Sequence, residues 1–196
     1  MSENRQTSPT RHANDPWVID TRELGRRPGS SRTVRRAVPA LEGLGLVDVI
    51  AVPVGTDVDV EVLLESVVEG VLVSGTASAP TAGTCSRCLD PISGQVEVEL
   101  TELFAYPFST TEETTDEDEV PRLVDDRIDL EPVVRDAVVL ALPQVPLCSP
   151  DCPGLCPECG GKWAELGPDH GHEKIDPRWA ALNERFGESS DRPEEN

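Results

Sequence analysis

The sequence predicts an α+β protein: a twisted antiparallel sheet, curling toward a barrel, covered by one helix and closed by a cysteine-rich C-terminal segment. Three observations carry this. Apolar and charged residues alternate with period two through much of 44–106. One stripe of helical period follows at 130–141. The cysteines are grouped, as CSRC at 85–88 and CSPDCPGLCPEC at 148–159. Strands run together before the helix rather than alternating with helices, so no βαβ crossover is expected.

Taken in order, residues 1–14 are polar and read as disordered, and Trp17, Val18 and Ile19 form a short apolar anchor. The stretch from Glu23 to Arg36, ELGRRPGSSRTVRR, has little apolar content and a Pro-Gly turn, so 15–43 reads as a basic loop or arm rather than a packed element. In the sheet region Val58, Val60, Val62 and Leu64 alternate with Asp59, Glu61 and Leu63. Val71 and Val73 begin a second run, and Val96, Val98, Leu100 and Phe104 a third. Gly70, Gly75, Pro80, Gly83, Pro91 and Gly94 read as punctuation between strands. Residues 109–119, STTEETTDEDE, read as a mobile acidic loop, since like charges repel.

Asp129 is the expected N-cap of the helix, with Leu130, Val133, Val134, Ala137, Val138 and Ala141 facing the sheet and Glu131, Arg135 and Asp136 facing away. Pro143 stops it. A strand over 137–142 is the competing reading, because of its valines. A last short helix is expected at 177–186, capped by Asp176 and striped by Trp179, Leu182 and Phe186, before a polar tail at 187–196. The predicted organisation is therefore an arm, a sheet-plus-helix core over 44–147 and a metal-binding segment over 148–186.

The chain of 196 residues carries 37 acids against 17 basic residues, a net charge of −20. Residues 1–40 hold eight arginines and four acids, so that segment is +4 and the rest −24. A body of that sign repels phosphate and excludes coating of nucleic acid by the whole surface. Phosphate contact would fall to Arg22, Arg26, Arg27, Arg32, Arg35 and Arg36, because arginine grips phosphate bidentately; a solvated loop is the plain alternative. No secretory signal or membrane-spanning run is legible, which points to the cytoplasm and to reduced thiols.

Six cysteines plus His170 and His172 make eight soft or borderline ligands, two complete tetrahedral zinc sites of four. In each CxxC the chain can curl so that both thiolates face one ion; in CPECG, Gly160 allows the left-handed turn. Cys156 and Cys159 lie within a small finger's span of His170, leaving Cys85 and Cys88 to close on Cys148 and Cys152. Pairing the two CxxC knuckles with each other, as in a zinc ribbon, is the alternative. His170 and His172 would share an ion only if Gly171 bends the chain, since alternate residues of a strand point opposite ways.

RCL at 87–89, LALP at 140–143, the CxxxCxGLCPxCG run and DPRWAAL at 176–182 resemble the YceD family of bacterial large-subunit ribosomal RNA accumulation proteins. ELGRRPGS and EGVLVSG resemble its high-GC Gram-positive branch, and the resemblance covers about residues 16–186. It implies a non-enzymatic role in synthesis, processing or stability of 23S rRNA, and favours Cys85, Cys88, Cys148 and Cys152 as one zinc site with the other four as an added one. The partners it suggests are 23S rRNA or a large-subunit precursor, together with a basic ribosomal protein or rRNA-processing factor. A zinc-ribbon interaction module for another machine, such as transcription, is the second reading.

Overall fold

The structure is a computed structural model and describes residues 15–107, 109, 120–172 and 178. It falls into two compact units that divide after Cys152. The boundary lies a few residues beyond the expected one, and Cys148 and Cys152 are gathered with Cys85 and Cys88 of the first unit. The acidic run at 110–119, the helix expected at 177–186 apart from Arg178, and both chain ends lie outside the described residues.

The first unit is built on β1 (Val18–Asp20), β2 (Ser31–Pro39), β3 (Gly45–Leu46), β4 (Ile50–Ala51), β5 (Asp57–Ser66), β6 (Gly70–Thr84), β7 (Pro91–Ala105) and β8 (Arg127–Asp129), followed by helix α1 (Glu131–Ala141). Strands β2, β5, β6 and β7 pair antiparallel in that order, and the short β3–β4 hairpin joins β6 beyond the end of β5. β1 pairs with β8 in a separate ribbon. The main sheet stays open, with β2 and β7 not paired to each other, so the expected curl does not reach a barrel.

The period-two pattern sorts β5 as expected. Val58, Val60, Val62 and Leu64 are buried, while Asp59 and Glu61 are exposed. Val96, Val98 and Leu100 of β7 join the same core. The small residues, however, do not break the strands: β6 and β7 run 15 residues each, straight through most of the glycines and prolines that read as punctuation. Close backbone approach explains the glycines of β6. A Cβ on Gly75 would lie 2.1 Å from the Glu61 carbonyl oxygen, and one on Gly70 would lie 2.1 Å from that of Phe104. Pro80 falls in the gap on β6 between the stretch paired to β5, ending at Ser78, and that paired to β4, starting at Ala82. Its missing N–H therefore leaves no ladder bond unmade on that side.

The basic segment departs most from expectation. Residues 31–39 are a strand, in register with Asp57–Glu65 of β5, and Val34 and Val38 are buried in the core. Two valines four residues apart suffice once a full ladder of backbone bonds is available; arginines around them hid the strand. Trp17, 1 % exposed, is fixed by its indole N–H, which donates to the Pro39 carbonyl at 3.0 Å.

Helix α1 packs on β7, and Leu130, Val134, Val138 and Leu142 enter the core. Leu130 occupies the N-cap position without a side-chain cap; Asp129, expected there, accepts instead from the Glu131 N–H at 3.0 Å. Glu131 does not face away as expected: it is 4 % exposed and paired with Arg135 one turn on. Ala141 is exposed rather than buried, and the helix ends there with Leu142 extended ahead of Pro143. Among the described residues no helix is long and apolar enough to cross a membrane.

Candidate metal centres

The eight expected ligands gather into two groups of four, Cys85, Cys88, Cys148 and Cys152 in the first unit and Cys156, Cys159, His170 and His172 in the second, with the donor atoms of each group within 4.8 Å of one another. The pairing of the two CxxC knuckles with each other does not occur.

The first group is organised by the turn between β6 and β7. The Cys85 N–H donates to the Asp90 carbonyl at 2.8 Å and the Leu89 N–H to the Cys85 carbonyl at 2.9 Å, which curls 85–90 into a knuckle. Two bonds then hold the 146–152 segment beside it. The Ser86 N–H donates to the Pro146 carbonyl at 2.9 Å, and the Arg87 guanidinium to the Cys152 carbonyl at 2.9 Å. Arg87 thus binds a backbone oxygen of the ligand segment. The Cys85 and Cys152 sulfurs lie 3.8 Å apart and those of Cys88 and Cys148 3.6 Å apart. Disulfides need about 2.05 Å, and all six cysteines are free. A tetrahedron of sulfurs about 2.3 Å from a central ion has edges of about 3.8 Å, so the spacing fits a four-thiolate metal site.

Charge points the same way. The backbone N–H of Cys88, working against burial, lowers Cys85 to about 6, helped by the N–H groups of Arg87 and Cys148. At Cys88 the backbone N–H of Asp90 favours the thiolate, yet burial and the neighbouring thiols of Cys85, Cys148 and Cys152 together push it up to about 12. Interaction with Cys152 raises Cys148. The cluster favours a thiolate at Cys85 and resists one at Cys88 and Cys148; a bound cation removes that resistance. Cys85, Cys88 and Cys152 are buried and Cys148 is exposed.

The second group starts from the CPECG knuckle. The Gly160 N–H donates to the Cys156 carbonyl at 2.9 Å, the Cys156 N–H to the Gly161 carbonyl at 2.7 Å, and Leu155 bridges to Lys162. Gly160 takes a φ of 71°, the left-handed turn expected of it. The backbone N–H of Cys159 leads the groups that lower Cys156 to about 6. Residues 170–172 are not a strand, and the rings of His170 and His172 converge, with Nε2 atoms 3.0 Å apart. The His170 Nε2 lies 3.6 Å from the Cys159 sulfur. Trp163 packs its ring edge-on to His170 at 5.3 Å between centroids. Two thiols and two imidazole nitrogens facing a common point are a donor set suited to zinc.

Most of the arginines singled out for phosphate contact are engaged within the chain. Arg22 lies 3.6 Å from Asp20, Arg26 2.8 Å from Asp126, Arg32 2.9 Å from Glu23 and Arg35 2.5 Å from Glu61. Arg26 also covers the Tyr106 ring, and Arg36 donates to the carbonyls of Pro16 and Val18. Arg27 is exposed.

Residues 73–184, spanning α1 and both ligand groups, match the family described as large ribosomal RNA subunit accumulation protein YceD. An uncharacterised protein of Mycobacterium tuberculosis is 53 % identical over 189 residues, covering 95 % of this chain and 90 % of its own. One from Mycobacterium leprae is 44 % identical over 174 residues, 89 % of this chain and 79 % of its own. The uncharacterised protein YlbN of Bacillus subtilis is 29 % identical over 99 residues, 50 % of this chain and 56 % of its own. No solved structure matches. A family match across more than half of the chain, with the mycobacterial likeness running almost end to end, gives the kinship directly: the chain belongs to the YceD family of large ribosomal RNA subunit accumulation proteins.

Proposed function

We propose that this protein is a zinc-stabilised, non-enzymatic factor in the synthesis, processing or stability of 23S rRNA during large-subunit assembly, acting in the cytoplasm. The observation that carries the zinc reading is the arrangement of eight donors in two sets of four, each set within 4.8 Å, in a chain of a ribosomal RNA accumulation family. Cys85, Cys88, Cys148 and Cys152 would hold one ion, and Cys156, Cys159, His170 and His172 the other. Zinc supplies a redox-inert crosslink there, and four protein donors per ion leave no open position for a water or substrate. The first site would fasten the 146–152 segment to the β6–β7 turn; the second would fold the short chain between Cys156 and His172.

The charge distribution supports a division of the contacts. A −24 body suits a basic ribosomal protein or rRNA-processing factor, and direct RNA contact would be confined to Arg22, Arg26, Arg27, Arg32, Arg35 and Arg36. Metal analysis of the full chain purified without chelator, together with sedimentation of cell lysate, tests the proposal. Two zinc per chain and migration with large-subunit precursors are expected. A folded protein with no zinc refutes the metal assignment; an absorbing iron centre refutes its identity. Migration with RNA polymerase instead of ribosomal precursors refutes the assembly role.

A further inference from the structure

Strand β7 closes the main sheet on one side. It is 15 residues long and, among the described residues, pairs with β6 alone apart from one parallel bridge between Ala105 and Arg122 at its end. Successive residues of a strand direct their N–H and C=O groups alternately to the two sides, so about half of the backbone groups between Ile92 and Phe104 face away from β6. Among the described residues this stretch makes no backbone bond outside the β6 ladder. A row of unmet donors and acceptors of this length is a template for a further strand.

The two faces beside that edge differ. On the outer face Gln95, Glu97, Glu99 and Thr101 are exposed. Their register partners on β6 include Ser78 opposite Glu97 and Thr76 opposite Glu99, so the neighbouring strand places no cation beside either carboxylate. On the inner face Val96 and Val98 join the core. There the first half of the edge, Pro91 to Val96, borders a groove of about 750 Å³ lined also by Leu142, Pro143, Val145 and Pro146. Val145 is 65 % exposed. A strand laid along this edge puts alternate side chains beside the carboxylates and the others toward the apolar groove.

We infer that the free edge of β7 over 92–99 accepts an extended segment of a partner protein in which basic and apolar residues alternate. Backbone bonds continue the sheet, lysines or arginines meet Glu97 and Glu99, and the apolar side chains enter the groove beside Val145. A second copy of the chain is disfavoured, because antiparallel pairing of two β7 edges about Val98 sets Glu97 opposite Glu99 twice. RNA is disfavoured because its phosphates would meet the same carboxylates. The inference deepens the assembly-factor reading by locating the protein contact, and it rests on that reading only for the class of partner.

The test uses the full chain and two synthetic peptides of about nine residues, enough to span 92–99. Both have the same lysine and valine content; in one the two residues alternate, in the other they form two blocks. In the free chain the amides of 92–99 fall into two alternating sets, one protected by the β6 ladder and one exchanging rapidly. The alternating peptide binds more tightly than the blocked one and protects the second set. Methylating its own amides at alternate positions abolishes binding in one of the two possible registers. Glu97→Gln together with Glu99→Gln, at exposed positions and thus without effect on the melting temperature, weakens binding about tenfold and flattens its salt dependence. Val145→Asp weakens the alternating peptide more than the blocked one. Protection of both amide sets in the dilute free chain, equal affinity of the blocked peptide, unaltered binding of both methylated peptides, the same protection produced by a 23S rRNA transcript, or the same protection arising from self-association each overturns the inference. The assembly reading fails separately: its loss shows as absence from large-subunit precursors whatever the peptide does.

Discussion

Replacing Cys88 with Ser tests whether the first centre fastens the sheet unit. The Cys88 and Cys148 sulfurs lie 3.6 Å apart and are separated by 60 residues of chain. An ion between them closes that loop, and for a crosslink of this span the chain-entropy argument gives about 4 kcal/mol. A domain of this size loses roughly 2–4 °C of melting temperature per kcal/mol, so loss of the ion is expected to lower the main transition by roughly 10 °C. The second centre closes only 11 residues between Cys159 and His170, worth about 3 kcal/mol by the same argument. The magnitudes are close; the location separates them. His172→Ala should leave the main calorimetric transition in place and raise hydrogen exchange only from Pro153 onward. Cys88→Ser should lower that transition and release one zinc, measured with a colorimetric chelator. An unchanged transition in Cys88→Ser refutes the fastening role. Equal global losses from both variants refute the division of labour between the centres.

Two further outcomes are expected. The residue after the second cysteine is left-handed in both knuckles, Leu89 at φ 62° and Gly160 at φ 71°. Leucine pays about 1–2 kcal/mol there that glycine does not, so Leu89→Gly should raise the urea midpoint or leave it unchanged; a loss above about 1 kcal/mol would show that the leucine packs more firmly than its 64 % exposure indicates. Replacing Arg22, Arg26, Arg27, Arg32, Arg35 and Arg36 with Gln should leave zinc content intact and remove the salt-sensitive part of association with large-subunit precursors; retention at moderate salt would show that the acidic surface alone carries the association.

The parts of the fold that were legible are those in which one side-chain pattern had one structural meaning. β5 alternates from Asp57 to Val62, and its buried and exposed residues follow the alternation. The ligand groups were legible because CxxC pairs followed by histidines at these spacings match the donor sets of structural metal sites. Legibility failed where backbone pairing outweighed composition. β2 carries three arginines and still forms a nine-residue strand, because a ladder with β5 needs only Val34 and Val38 turned inward. Glycines in β6 looked like breaks but are the points where neighbouring backbones come too close for a Cβ. The helix stripe was seen as one face although it comprises two, since Val133 and Val134 are adjacent in sequence but about 100° apart on the helix. Burial of Glu131 had no signal beyond Arg135 four residues on.

The internal ion pairs of the arginines bear on how the protein reaches RNA. Most of these pairs are exposed, and exposed pairs contribute about 0–1 kcal/mol, so a phosphate could displace Asp20, Glu23 or Glu61 at little cost. Pairing alone therefore does not bar RNA. The opposing effect is longer in range: a displaced carboxylate stays on the surface and, with the −24 body, repels the next phosphate along the strand. Each RNA contact made through β2 thus makes the following one harder unless a cation arrives with it. A basic partner bound elsewhere on the body lowers that repulsion for every arginine at once, so protein docking and RNA contact would strengthen each other without any change of shape. On the proposed function, the charges favour one order: the protein contact would come first, and the arginines would meet RNA within an assembling particle.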